Sequence, residues 1–90
     1  MKEAKSMFLV TFFIRDGESE YISHKVVFAS TERKATAKAL KWVADYFLTG
    51  TVRDEEDGDL FWSKDETRTI RLVQVGKTTV DDLVKMLLIE

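Results

Sequence analysis

The N-terminal third of the chain constrains the fold most, because its residue pattern predicts a β-hairpin. Residues Met7 to Arg15 are rich in Phe, Val, Leu and Ile on both alternating faces, which is typical of a strand that is covered on both sides or central in a sheet. The pair Asp16-Gly17 favours a tight turn, since glycine adopts a positive φ at no steric cost. The second arm, Glu20 to Ala29, alternates in polarity. We therefore predict two antiparallel strands.

The length of the turn decides which side chains of the second arm face the core, because a shift of one residue moves every side chain to the other face. An odd-length loop, such as a type I turn with Gly17 at a bulge, gathers the large apolar residues of both arms on one face: Phe8, Val10, Phe12, Ile22, Val26 and Phe28. An even loop would place Ser23 and Lys25 on that face instead. The pattern favours the odd loop.

A helix is predicted after the hairpin, from about Thr31 to Leu48. Ser30 or Thr31 can cap its first turn, and Gly50 lies where a left-handed C-cap is expected. At 100° per residue, its apolar face would hold Ala37, Leu40, Val43, Ala44, Phe47 and Leu48. A second stripe lies outside this face and is not needed for packing on a sheet: Ala35, Ala39, Trp42 and Tyr46.

The second half of the chain predicts two more strands and a final helix. One short strand from Thr51 to Trp62 is interrupted by acidic residues, and a clearer strand runs from Thr67 to Val75. Thr78 or Thr79 opens the last helix with a pattern that resembles a capping box. The order β-β-α-β-β-α predicts an α+β two-layer sandwich, a four-stranded antiparallel sheet with two helices on one face. Residues 1–90 should form one domain.

Composition excludes several classes of function. The chain has no cysteine and one histidine, so disulfide scaffolds, thiolate zinc sites and catalytic triads lack their parts. His24 is expected on a packed face as a structural residue. The string Gly76-Lys77-Thr78 is no phosphate-binding loop, because Arg71 stands where that motif requires glycine. We predict no enzyme, no cofactor, no metal site and no membrane partner, and a soluble cytoplasmic protein.

An acidic run is the first of two candidate binding features. Its carboxylates are Asp54, Glu55, Glu56, Asp57 and Asp59. An EF-hand loop aligned on Gly58 would begin with Arg53 and end with Lys64, so both essential ligand positions fail. The run is interpreted as a solvated loop tip, with an acidic patch that faces a basic partner as the alternative.

The second candidate feature is the stripe of Ala35, Ala39, Trp42 and Tyr46. It can be covered by the C-terminal helix, or it can bind a partner or a second copy, since Trp and Tyr are enriched in interface hot spots. Together with the acidic run it suggests a small non-enzymatic interaction module that binds a protein partner or forms a homodimer. The alternative is nucleic-acid binding through the basic side of the helix: Arg33, Lys34, Lys38 and Lys41.

Overall fold

The structure is a computed structural model that describes residues 4–47 and 50–87. These residues form strands β1 (Ser6–Asp16), β2 (Ser19–Ala29), β3 (Thr51–Arg53), β4 (Leu60–Ser63) and β5 (Arg68–Lys77), and helices α1 (Glu32–Ala44) and α2 (Val80–Leu87). The strands make one sheet in the order β2-β1-β5-β4-β3, and every neighbouring pair is antiparallel. The predicted α+β class with an antiparallel sheet and two helices is confirmed.

The predicted strand count of four is wrong, because the interrupted strand is a hairpin. β3 and β4 pair with each other, with Val52 opposite Trp62, and the acidic run forms the tip between them. The chain reverses there because Asp54 accepts backbone N–H groups from the loop, which makes a turn rather than a gap in one strand. The placement of both helices on one face also fails, since α1 packs on the sheet and no described residue of α2 is buried.

The turn between β1 and β2 has two residues, so the predicted odd loop is also wrong. Asp16 pairs with Ser19 across Gly17 and Glu18. Gly17 has φ 61°, while Glu18 has no positive φ, which is the pattern of a type II′ turn whose twist matches that of the strands. The preference for this two-residue turn therefore outweighs the tendency to place the apolar residues of both strands on one face. As a result, Phe12 lies opposite Ser23, and Ile22, Val26 and Phe28 are on the other side of the sheet.

The core lies between α1 and one face of the sheet. Thr31 caps α1 by accepting a hydrogen bond from the Lys34 backbone N–H at 3.1 Å. The main core cluster combines the inward residues of the central strands with the helix and the segment after it: Val10, Phe12, Ile14, Ala39, Val43, Phe47, Phe61, Ile70 and Leu72. A second cluster of Phe8, Ala29 and Ala35 extends it.

The helix face that contacts the sheet differs from the predicted one. The buried residues of α1 are Ala35, Ala39 and Val43, spaced four apart, while Ala37 and Ala44 are exposed. Small alanines on the inner side let the helix approach the strands closely, which favours this rotation over one that buries Leu40. The helix ends at Ala44, with Asp45 at its C-cap. Leu48 lies outside the described residues.

The turn between β4 and β5 is held by one carboxylate. Oδ1 of Asp65 accepts hydrogen bonds from Oγ of Ser63 at 2.6 Å, Oγ1 of Thr67 at 2.8 Å and the Thr67 backbone N–H at 3.2 Å. These donors, the Ser63 hydroxyl foremost, lower the pKa of Asp65 to about 2. Ser63 itself is buried, and its Oγ accepts the Arg68 backbone N–H.

Acid should therefore weaken the fold partly through Asp65. Because its folded pKa lies below the ordinary 3.8, the charged carboxylate stabilises the native state above pH 4, and this contribution is lost as the pH falls towards 2. We expect Asp65→Asn to be less stable than the wild type at pH 6 and to lose less stability between pH 4 and pH 2. Urea denaturation at a series of pH values measures both. Parallel stability curves for the two proteins would contradict the assignment.

Candidate functional site

The sheet face opposite α1 is apolar over β1 and β2. The two-residue turn pairs Met7 with Phe28, Leu9 with Val26 and Phe13 with Ile22 on this side. We call this surface the open face, defined by Met7, Leu9, Phe13, Ile22, Val26 and Phe28. Ile22 is 61 % exposed, Phe28 58 % and Val26 41 %. Within residues 4–47 and 50–87, neither helix packs on it.

A groove runs beside the open face along β5. On this side β5 presents small or polar residues, Thr69, Arg71, Gln74 and Gly76, while β4 forms the far wall with Leu60 and Trp62. Two shallow cavities of about 290 and 140 Å³ lie in it; the first is lined by Phe13, Leu60 and Trp62, and the second by Leu9, Gln74 and Gly76. A Cβ atom on Gly76 would meet only Nε2 of Gln74, at 3.9 Å. The groove floor is therefore open.

Polar groups on this side of the sheet are paired with each other. Oγ1 of Thr11 and Nδ1 of His24 are 3.1 Å apart, and the Arg15 guanidinium donates to Oε1 of Glu20 at 2.6 and 2.9 Å. His24 is exposed, so its predicted packed position is wrong, because the even turn moves it to the uncovered side. Its hydrogen bond to Thr11 agrees with the predicted structural role.

The stripe predicted on α1 is divided between core and rim. Ala35 and Ala39 are buried under the helix and are not accessible to a partner. Trp42 is 41 % exposed; its ring lies 5.3 Å from Phe12 and 5.2 Å from Tyr46, and Nζ of Lys25 lies 5.5 Å from its centre. Partner binding through Trp42 and Tyr46 stays a prediction.

The acidic loop is internally folded. Oδ2 of Asp54 accepts the backbone N–H groups of Glu56 at 3.1 Å and Asp57 at 2.8 Å, and its Oδ1 accepts Nε1–H of Trp62 at 3.3 Å. Asp57 accepts the Asp59 backbone N–H and pairs with Arg71. The first of these bonds, and then the guanidinium, lower the pKa of Asp57. Two of the five carboxylates thus shape the loop itself.

The two predicted binding features lie on opposite sides of the sheet. The loop carboxylates contact Trp62 and Arg71, which belong to the groove. Trp42 instead packs on Phe12, on the side covered by α1. One flat partner surface therefore cannot contact Trp42 and the acidic loop together, whereas the loop and the groove are adjacent.

The basic residues of α1 are all exposed: Arg33, Lys34, Lys38 and Lys41. Nζ of Lys38 donates to the Phe28 carbonyl at 2.6 Å and so ties the helix to the end of β2. Nucleic-acid binding through this side stays a prediction.

A shallow cavity of about 480 Å³ lies at the β3–β4 edge. Two of its polar residues hold the acidic loop, because Arg53 donates to the Gly58 carbonyl at 2.7 Å and Asp54 accepts the Asp57 backbone N–H. In the described part of the chain, no buried side-chain nitrogen or oxygen lacks a partner, and no group of three or more acidic or histidine residues is arranged to hold a metal ion. The cavity thus borders the acidic loop, and part of its polar lining keeps that loop folded.

Comparison with known proteins gives no further guide to function. No family model matches the chain, and neither a curated protein nor a solved structure matches it. Among the helices that the structure describes, none is long and apolar enough to cross a membrane.

The open face was not predicted from the sequence, although the residue pattern of β1 contains the signal. The apolar residues on both faces of Met7 to Arg15 predict two covered sides, and α1 covers only one of them. The missing step was the two-residue turn, which also sends the apolar residues of β2 to the uncovered side.

Proposed function

We propose that this protein is a non-enzymatic interaction module that self-associates by burying its open face against a second copy of the chain. The observation that carries the proposal is an apolar sheet face on which neither helix packs in the described part of the chain. Isolated exposed apolar residues are ordinary, but contiguous patches beyond a few hundred Å² mark interaction surfaces. The six residues of the open face form three cross-strand pairs: Met7–Phe28 and Leu9–Val26 adjoin, and the hydrogen-bonded Thr11–His24 pair connects them to Phe13–Ile22.

The size of the surface fits a stable dimer. The three long strands have 11, 11 and 10 residues. At about 3.3 Å per residue and 4.8 Å between strands, they present roughly 35 by 14 Å, or about 500 Å² of flat area before side-chain relief is counted, of which the open face on β1 and β2 is about two thirds. A standard interface buries about 800 Å² of accessible surface on each partner. A second copy that covers this side could reach that area.

The chemistry of the surface favours a protein partner with the same apolar character. Arg15 and Glu20 neutralise each other at one end, and Thr11 and His24 pair in the middle. The six residues of the open face are all apolar and the neighbouring Arg15 is paired with Glu20, so among the described residues this face offers no basic group of the kind that phosphate backbones or anionic lipids require. A second copy presents an identical surface at equal concentration, which suits a two-fold, self-complementary contact.

A charge at the centre of the open face should abolish self-association. Val26→Asp would bury a carboxylate without a partner, which costs about 3–5 kcal/mol and raises the dimer dissociation constant at least about 100-fold. Sedimentation equilibrium should show a wild-type dimer and a Val26→Asp monomer, and circular dichroism should show that both are folded.

Two control variants locate the interface. Ala37→Glu adds a charge at an exposed position on α1 and should leave the dimer intact, as should Trp42→Ala. A wild type that is monomeric at its highest attainable concentration refutes the proposal. If Trp42→Ala alone dissociates the dimer, the α1 rim is the interface instead.

A further inference from the structure

We infer that α2 of one copy lies in the groove along β5 of the second copy, so that the two chains exchange their C-terminal helices. The inference rests on the proposed self-association and specifies which element covers the groove. Four apolar residues of α2 recur at the spacing of one helical stripe: Val80, Leu83, Val84 and Leu87. Val80 is 66 % exposed, Val84 53 % and Leu87 77 %.

A helix as short as α2 requires a packing surface. It has eight residues, and isolated helices below about 12–15 residues are marginal in water. Its cap is well formed, because Oγ1 of Thr79 accepts the Asp82 backbone N–H at 3.1 Å and Asp81 and Asp82 suit the positive end of the dipole. The cap stabilises only the N-terminal end of α2. Burial of the apolar stripe is the main further interaction that can stabilise this helix.

In the structure α2 does not cover its own groove, since none of its described residues is buried. The Thr78 backbone N–H donates to the Met7 carbonyl at 2.9 Å, which keeps Thr78 at the end of the sheet, and Thr79 is committed as the cap. Three of the four stripe residues, Val80, Val84 and Leu87, are more than half exposed. The stripe is therefore available to another chain.

The groove suits a short amphipathic helix in size and charge. An eight-residue helix is about 12 Å long. Two cavities lie along β5, one of 290 Å³ between Phe13 and Trp62 and one of 140 Å³ beside Leu9 and Gly76. Lys77 lines the smaller cavity, where the acidic first turn of an incoming α2 would be favoured by its charge. Gly76 leaves room there for an apolar side chain.

Exchange of the two helices also fills both grooves. Each α2 would cover roughly 120 Å² of the flat area over β5 that the 500 Å² of the strands already includes, in a two-fold arrangement that uses each groove once and each helix once. Exchange of an identical element is a common route to dimers when the connecting segment is short.

Cross-linking between two singly substituted chains tests the inference. The chain has no cysteine, so Val84→Cys and Gln74→Cys each introduce one thiol. The two variants are mixed, one with an affinity tag that distinguishes it by mass, and treated with a short thiol-reactive cross-linker. We expect a covalent dimer of one tagged and one untagged chain. A mixture of Val84→Cys with Ala37→Cys is the matched control and should give none.

The outcomes separate the two proposals. A wild-type dimer with no Val84–Gln74 product, or with as much product in the control mixture, overturns helix exchange and leaves self-association standing. A monomeric wild type overturns both. As a second measurement, Leu87→Asp should raise the dimer dissociation constant at least tenfold while the monomer stays folded; an unchanged constant also overturns helix exchange.

Discussion

Phe12→Ala should lower the free energy of unfolding by about 3–5 kcal/mol, the usual range for a phenylalanine removed from a core. Phe12 is 1 % exposed and lies in the cluster between β1 and α1. Its ring also supports Trp42, at 5.3 Å between ring centres, so its loss creates a cavity and leaves an aromatic neighbour without its contact. A small domain has about 5–15 kcal/mol of stability in total, so the variant should be close to unfolding.

The adjacent residue provides a matched control. Phe13→Ala makes the same substitution one position along β1, on the open face, where the side chain is half-buried. At concentrations at which the chain is monomeric, it should cost distinctly less than Phe12→Ala. Urea denaturation at several protein concentrations measures both, and the cost of Phe13→Ala should rise with concentration as the dimer forms. Equal costs at every concentration would contradict the assignment of the two faces.

Gly17→Val should have the second largest effect on the stability of the monomer, a loss of about 1–3 kcal/mol. Gly17 has φ 61°, a region that a β-branched residue rarely adopts. No heavy atom lies within 4 Å of a Cβ built there, so the cost comes from the backbone alone. Denaturation midpoints in urea, with the slope checked for constancy, give the value.

The next residue in the turn is the control for this effect. Glu18→Val introduces the same side chain without a positive φ, and its effect should stay within about 0.5 kcal/mol, as at most surface sites. If both variants lose equal stability, β-branching in the turn, rather than the left-handed backbone of Gly17, is responsible.

The fold class was predictable because it depends on patterns that tertiary contacts rarely override. The dense apolar run of β1, the cap at Thr31 and the capping pattern before Val80 each indicated the element that forms there. The α1 face was not predictable from the wheel, because Ala35 and Leu40 are both apolar and only the distance to the sheet selects between them. The same holds for β3 and β4, whose pairing depends on hydrogen bonds from Asp54 that periodicity does not reveal.

The position of the candidate site depends on whether the β1–β2 turn has an odd or an even number of residues, which is why it was predicted elsewhere from the sequence. Exposed apolar residues that the core does not need were expected on α1, at Trp42 and Tyr46. More of them lie on β2, at Ile22, Val26 and Phe28. Both turn lengths are compatible with Asp16-Gly17, and the choice exchanges the inner and outer residues of β2. Placing as many apolar residues as possible in the core selects the wrong turn length here, because the chain has apolar residues on both sides of the sheet.

The two tryptophans lie on opposite sides of the sheet, and this gives each side its own optical signal. Trp42 stacks on Phe12 over the region covered by α1, whereas Trp62 forms a wall of the groove. Indole emission responds to the polarity around each ring, so loss of the core and occupation of the groove change different fluorophores. A variant that retains only Trp42 should therefore report folding, and a variant that retains only Trp62 should report assembly, without an added dye.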